Sequence, residues 1–284
     1  MRVQDQAAQI LGLAKIHRLD CAGTELLWQQ WPAQNPGSTP PLMLLHGGFG
    51  SWNHWIRNVA SLSQSRDVWT LDLPGLGRSG DLPKPYTTRH IAETIFAGLQ
   101  ALLPKNQDFE VAGFSFGAMI AAQLALMVGE RCRRCTLIGA AGFGDLHVQV
   151  ALLPPPVLAE DSSEPDAETH RITRENLRRL MLHKDEAVDD LAVYLHADNL
   201  ARHRFRSRKL AGSNELAELL PNITVPLVGI WGAEDATAGG ADNLEARHQL
   251  FAKAPSFTGF HVIPDAGHWV MYEASEAVNT LLSL

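Results

Sequence analysis

Residues 113–117 run Gly113-Phe114-Ser115-Phe116-Gly117, a serine with a glycine two positions away on either side. The apolar run Phe109 to Ala112 before it has the pattern of a strand, and Phe116 to Val128 after it that of a helix. The serine therefore stands on a sharp strand-to-helix turn. So tight a turn presses positions 113 and 117 against neighbouring backbone, which favours residues without a Cβ. The hydroxyl then sits at a helix N-terminus, where free amides can stabilise a developing oxyanion. A serine hydroxyl is a weak nucleophile until a base takes its proton. Among 12 histidines, His268 stands apart because Ile263-Pro264-Asp265-Ala266-Gly267-His268 places it in a loop just after the last strand. His261 lies within that strand, and His46 directly precedes the Gly47-Gly48 turn.

An imidazole base needs a buried carboxylate to hold its tautomer and to stabilise the imidazolium. Trp231-Gly232-Ala233-Glu234-Asp235 follows the penultimate strand, so Asp235 is expected to emerge at the same sheet edge as Ser115 and His268. Glu234 and Asp145 are the competing carboxylates, and Asp235 is preferred. The oxyanion would be met by the backbone N–H of Phe116 and by a second amide, Gly48 or Phe49, from the loop His46-Gly47-Gly48-Phe49-Gly50. Phe49, Trp52, Phe114, Phe116 and Trp269 fall near these positions. Phe114 and Trp269 are the substrate-pocket candidates, and the group hints at an apolar or aromatic acyl group.

The elements that must position these side chains alternate. Ala14 to Cys21 and Glu25 to Trp31 have the pattern of a hairpin turning at Gly23. Leu42 to Leu45 and Val68 to Leu71 are short apolar strands of the kind buried on both faces. Trp52, Trp55, Ile56, Val59 and Leu62 fall on one stripe of a helix. Thr88 to Leu103 is expected to be a helix ended by Pro104, Cys135 to Gly139 a strand, Val225 to Trp231 and Thr258 to Ile263 two more strands, and Ala274 to Leu284 a closing helix. A hairpin followed by alternating strands and helices predicts an α/β fold, a mostly parallel sheet covered by helices on both faces. Between about 144 and 213 the texture changes to helical stretches without a convincing strand, after Pro154-Pro155-Pro156 and the acidic run Glu160 to Glu168. That piece is expected to be a helical lid, dividing the core into 1–143 and 214–284.

Composition narrows the function classes. A net charge of -7 works against nucleic-acid binding, which needs a dominant basic surface. The single basic stretch, Arg202 to Lys209, is most simply a solvated face, with an anion or partner site as its functional alternative. Cys21, Cys132 and Cys135 form no disulfide framework and fit a reducing compartment. Cys132 and Cys135 have redox spacing, but they fall at the start of a strand rather than at the helix N-terminus that such chemistry uses. The first residues lead into no apolar segment of a secretory signal, so a cytoplasmic location is expected. The uncharged run Val111 to Gly129 is long enough for a membrane span, yet Gly113, Ser115, Gly117 and Gln123 fit a buried strand, turn and helix better, and no membrane contact is expected.

Together, the His46-Gly47-Gly48 loop, Asp72-Leu73-Pro74-Gly75-Leu76-Gly77-Arg78-Ser79, the turn at Ser115, Trp231 to Asp235 and Asp265 to His268 resemble the α/β-hydrolase superfamily over nearly the whole chain. In that fold the catalytic groups follow in the order nucleophile, acid, base, the order of Ser115, Asp235 and His268. The resemblance implies cleavage of an ester, amide, thioester, lactone or related bond through a covalent serine adduct, on a small-molecule substrate and without a cofactor. Dehalogenases and epoxide hydrolases of the fold carry aspartate where Ser115 stands. His46-Gly47-Gly48 and His268-Trp269 are similar to C–C bond hydrolases of ring-cleavage diketones. Those enzymes usually have Asn where Phe114 stands, and their lid arginine has no matching position here. A carboxylic-ester hydrolase is therefore the leading expectation, a C–C hydrolase the alternative, and a non-catalytic ligand-binding member of the fold the third.

Overall fold

A computed structural model of the chain describes residues 2–154 and 167–284. It opens with helix α1 (Val3–Gly12), which has no counterpart in the sequence reading; only Ala7 of it is buried, so its apolar pattern is weak. Among the described residues eight strands follow: β1 (Lys15–Cys21), β2 (Thr24–Trp31), β3 (Leu42–Leu45), β4 (Val68–Leu71), β5 (Phe109–Phe114), β6 (Cys132–Ile138), β7 (Leu227–Gly232) and β8 (Phe257–Ile263). They form one sheet in the order β1-β2-β4-β3-β5-β6-β7-β8. β1, β2 and β4 pair antiparallel, and every pairing from β4 through β8 is parallel.

Period-two alternation distributes the strand side chains between two cores. Met43, Leu45, Val111 and Leu137 enter one cluster, and Leu42, Leu44, Ala112 and Ile138 enter the other. Sealing both faces requires helices on both. α2 (Val59–Leu62), α3 (Thr88–Leu102) and α4 (Phe116–Val128) lie between the earlier strands. α5 (Ala167–Leu180), α6 (Asp190–Ala201), α7 (Arg208–Ala211) and α8 (Glu215–Leu219) fall between β6 and β7. α9 (Ala241–Phe251), α10 (Val270–Glu273) and α11 (Ser275–Ser283) complete the chain. The sequence reading has no counterpart for α9, whose buried positions are Leu244, Arg247 and Phe251. A charged side chain in the inward stripe interrupts the apolar period that would have revealed this helix.

Two elements differ from expectation. The stripe from Trp52 to Leu62 is not one helix: Trp52–Trp55 is a 3₁₀ turn and only Val59–Leu62 is α-helical. The apolar positions are all buried, but polar residues between them are buried too and bond to other segments, Asn53 to Asn199 and Asn58 to Asn279. Those tertiary bonds compete with a regular helix. Strand β6 also begins earlier, at Cys132, and burial pushes the Cys132 thiol up to about 12 and the Cys135 thiol upward as well.

The uncharged run from Val111 divides into β5, the Ser115 turn and α4, and no helix among the described residues is long and apolar enough to cross a membrane. The Pro-rich and acidic stretch near 154–168 lies largely outside the described residues. The basic stretch is not a solvated face throughout. Phe205 and Ser207 are buried, and the Arg204 guanidinium donates to Asp81 and to the carbonyls of Gly77 and Ser79.

Candidate active site

Register sets the site. Leu45 pairs with Gly113, Phe114 with Ile138, Ile138 with Ile230 and Gly232 with Ile263, so β3, β5, β6, β7 and β8 end at one edge. The chain runs from β3 outward to β4 and then crosses back over β3 to β5, so the loops after β3 and β5 part at a crevice, where open α/β sheets bind ligands.

Ser115 lies at φ 53°, ψ -116°, a conformation that costs a non-glycine residue about 1–3 kcal/mol. Its backbone is held from both sides: the N–H donates to Ile138 O (2.8 Å), and the carbonyl accepts from Ala118 (3.1 Å) and Ala141 (3.2 Å). Both flanking glycines are required by close approach. A Cβ at Gly113 would collide with the Gly117 carbonyl, and one at Gly117 would collide with the His46 carbonyl. The turn thus puts the Ser115 side chain at the head of α4.

His268 and Asp235 meet although 33 residues separate them: the imidazole Nδ1 is 2.8 Å from Asp235 Oδ2. Asp235 Oδ1 accepts from the Thr237 amide (2.8 Å) and hydroxyl (2.7 Å). Burial pushes the Asp235 carboxyl up, but the nearby His268 charge and these hydrogen bonds outweigh it, and its pKa falls below the ordinary value. An ionised carboxylate therefore faces Nδ1, which makes Nδ1 the proton-bearing nitrogen and leaves Nε2 as an acceptor. Thr237 was not singled out in the sequence. The signal for it is local: an aspartate accepting from the amide two residues on is an Asx-turn. Glu234 and Asp145, the competing carboxylates, are both exposed, and His261 lies within β8.

The loop before His268 is clamped from outside the core. Glu273 of α10 accepts from the amides of Gly267 (2.7 Å), His183 (3.1 Å) and Lys184 (2.5 Å), and the Trp269 backbone N–H donates to Met181 O (2.7 Å). The segment after α5 and the His268 loop are therefore tied together.

The loop after β3 is braced by two side chains. His46 Nε2 accepts from Leu73 N–H (2.8 Å), and its Nδ1 meets Gly47 O (2.8 Å). Asp72 accepts from the amides of Trp52 (3.0 Å) and Arg78 (2.9 Å), which explains the turn-rich segment from Asp72 to Ser79 as a brace. The loop closes with Gly50 N–H on Gly47 O (3.1 Å). Ser207 presses on Gly48, where its Oγ would collide with any Cβ.

Ser115 and His268 line one cavity of about 110 Å³. Its lining among the described residues also includes Gly48, Phe49, Phe114, Phe116 and Thr237. Trp269 and Trp52 are not part of it. The Trp269 ring is fully buried, stacks on Tyr272 at 4.3 Å and donates from Nε1 to His54 O (2.8 Å), so its place is behind the site. His54, which the sequence reading passed over, does line the cavity.

The buried histidines carry a pH consequence. Burial pushes His46 and His196 down to about 4 from an ordinary 6.5. Below pH 6.5 the unfolded chain takes up protons at these positions that the folded chain refuses, so their contribution is complete above about 6.5 and is lost as pH falls toward 4. The full difference is about 3 kcal/mol for each. The melting temperature is expected to fall by about 10 °C or more between pH 7 and 4.5, and a flat profile over that range would contradict neutral burial.

The sheet order, the strained serine turn and the buried histidine–carboxylate pair at one edge define a class, and the chain belongs to the alpha/beta hydrolase fold family, which it matches over residues 40–275. It is 29% identical over 273 residues to the dihydrolipoyllysine-residue acetyltransferase component of the acetoin cleaving system of Pseudomonas putida, which covers 92% of this chain. The chain spans 66% of that relative's length. It is 23% identical over 257 residues to the 2-hydroxy-6-oxononadienedioate/2-hydroxy-6-oxononatrienedioate hydrolase of Comamonas testosteroni, covering 86% of this chain and 87% of that protein. In structure it is similar to a carboxylesterase of Bacillus subtilis, with a TM-score of 0.71 at 18% identity, over 99% of this chain and 96% of that one.

Proposed function

We propose that this protein is a serine hydrolase that cleaves a carboxylic ester, or a related acyl bond, of a small and largely apolar substrate. The observation that carries the reading is the shared cavity: Ser115 in its strained turn and His268, paired through Nδ1 with buried Asp235, both line it. In this mechanism Ser115 Oγ attacks the carbonyl carbon while its proton passes to His268 Nε2. The amides of Phe116 and of Gly48 or Phe49 receive the oxyanion. The tetrahedral intermediate collapses as the imidazolium returns the proton to the leaving oxygen, giving an acyl-serine. Water, deprotonated by His268, attacks that ester, and the second collapse releases the acid and restores Ser115. Helices α5 and α6 with the strap from 203 to 213, within the span 144–213, act as the lid that keeps bulk water from the cavity.

A panel of purified-protein assays tests the reading: p-nitrophenyl esters, thioesters, lactones and a vinylogous diketone, with fluorophosphonate labelling of Ser115. Turnover of the simple esters with labelling at Ser115 supports it. Turnover confined to the diketone would favour a C–C hydrolase, and faster turnover with an added thiol or alcohol would favour acyl transfer. Absence of labelling in a folded protein would leave the ligand-binding reading.

A further inference from the structure

Ser207 is buried on the strap between α6 and α7, and it lines the cavity shared by Ser115 and His268. Its hydroxyl makes no hydrogen bond among the described residues, not even to cap α7. Its oxygen is also not one of the unpartnered atoms sealed in the interior, so it opens on the cavity that the residue lines. Most buried side-chain polar atoms are hydrogen-bonded within the protein, which marks this free donor as a group for a ligand oxygen. Its position is fixed by the glycines of the loop after β3. A Cβ on Gly48 would collide with Ser207 Oγ and stand 3.5 Å from Phe116 Cβ, and one on Gly47 would stand 3.2 Å from Ser115 Cβ. The hydroxyl thus fills the open side of Gly48, with Phe116 across from it and the nucleophile one residue away on both segments. The strap is anchored around it. Arg204 N–H donates to Gly75 O (3.0 Å), the buried Phe205 ring lies 5.5 Å from that of Phe116, Ser207 O accepts from Ala211 N–H (2.9 Å), and Gly142 N–H donates to Ala211 O (2.9 Å). A donor held in place before charge develops needs no reorganisation at the moment of reaction.

We propose that Ser207 is a further catalytic residue: its Oγ–H donates to the substrate carbonyl oxygen as that oxygen becomes the oxyanion, a third donor beside the backbone amides of Phe116 and of Gly48 or Phe49. This rests on the serine hydrolase reading. When Ser115 Oγ bonds to the carbonyl carbon, the carbonyl π pair moves onto the oxygen and the hydrogen bond from Ser207 strengthens; at each collapse the pair returns and the bond relaxes. Ser207 keeps its own proton throughout. A bond that is stronger in the transition state than in the ground state lowers kcat when it is lost and leaves KM nearly unchanged.

Ser207→Ala and Ser207→Gly, each of which removes the donor and adds no bulk, are compared with wild type in p-nitrophenyl butanoate hydrolysis, beside circular dichroism melts. Two inhibitors of the same chain length separate catalysis from fit: an alkyl trifluoromethyl ketone, which adds to serine as an anionic hemiketal, and its trifluoromethyl carbinol, which cannot add. Both variants are expected to lose about 10²-fold in kcat, the scale of one oxyanion donor, with little change in KM. The Ki of the ketone is expected to rise by the same factor as kcat/KM falls, while that of the carbinol stays put. A kcat and a ketone Ki within about threefold of wild type in either folded variant would overturn the assignment. So would equal weakening of ketone and carbinol, the mark of a distorted cavity, and both results leave the hydrolase reading standing. A folded wild type that neither labels at Ser115 nor turns over an ester would remove both.

Discussion

Ser115→Ala is expected to lower kcat by about 10⁵- to 10⁶-fold, the scale seen when a hydrolase loses the nucleophile of its triad. Alanine fits the same space, and its backbone demand at φ 53° is no greater than that of serine, so the fold should survive. The Ser115 amide and carbonyl bonds to Ile138, Ala118 and Ala141 involve no side-chain atom and remain. Turnover of the best ester and fluorophosphonate labelling, each beside a circular dichroism melt, measure the effect. Labelling that persists in a folded Ser115→Ala protein would mean that another residue is the nucleophile.

Asp235→Asn is expected to cost about 10⁴-fold in kcat with the fold retained, the loss found when a triad carboxylate becomes an amide. The reason lies in the second oxygen. Thr237 donates twice to Oδ1, so an asparagine would keep its carbonyl oxygen there and turn its NH₂ toward His268. Nδ1 must then become the acceptor, the ring proton moves to Nε2, and the base faces the serine with its proton already in place. Glu234, exposed next door, cannot substitute. Steady-state turnover of the same ester measures the loss, and one below tenfold would show that Asp235 does not orient the base.

Much of the fold was legible because strand and helix periodicity are local. The β1–β2 hairpin, the strands from β3 to β8 and helices α3 and α4 follow from apolar patterns and from glycine and proline between them. The turn between Trp52 and Leu62 was not, since its apolar spacing is helical while buried Asn53 and Asn58 spend their hydrogen bonds on distant residues. Trp269 shows the same limit: next to His268 in the chain, its ring turns behind the candidate site to meet Tyr272 and the His54 carbonyl. The basic stretch from Arg202 is similar, because only contact with Gly48, Gly77 and Ser79 shows that it straps the loops beside the cavity.

By itself the sequence determined the serine turn, because a strand, a serine between two glycines and a helix follow one another directly, and it determined the chain positions after β7 and β8 at which a carboxylate and an imidazole emerge. Only the tertiary structure decided which carboxylate is buried against His268, that Thr237 holds its other oxygen, and that His54 rather than Trp269 reaches the cavity. Hydrogen bonds and burial of that kind join residues far apart in the chain, and no local spacing encodes which of them the folded sheet brings within bonding reach.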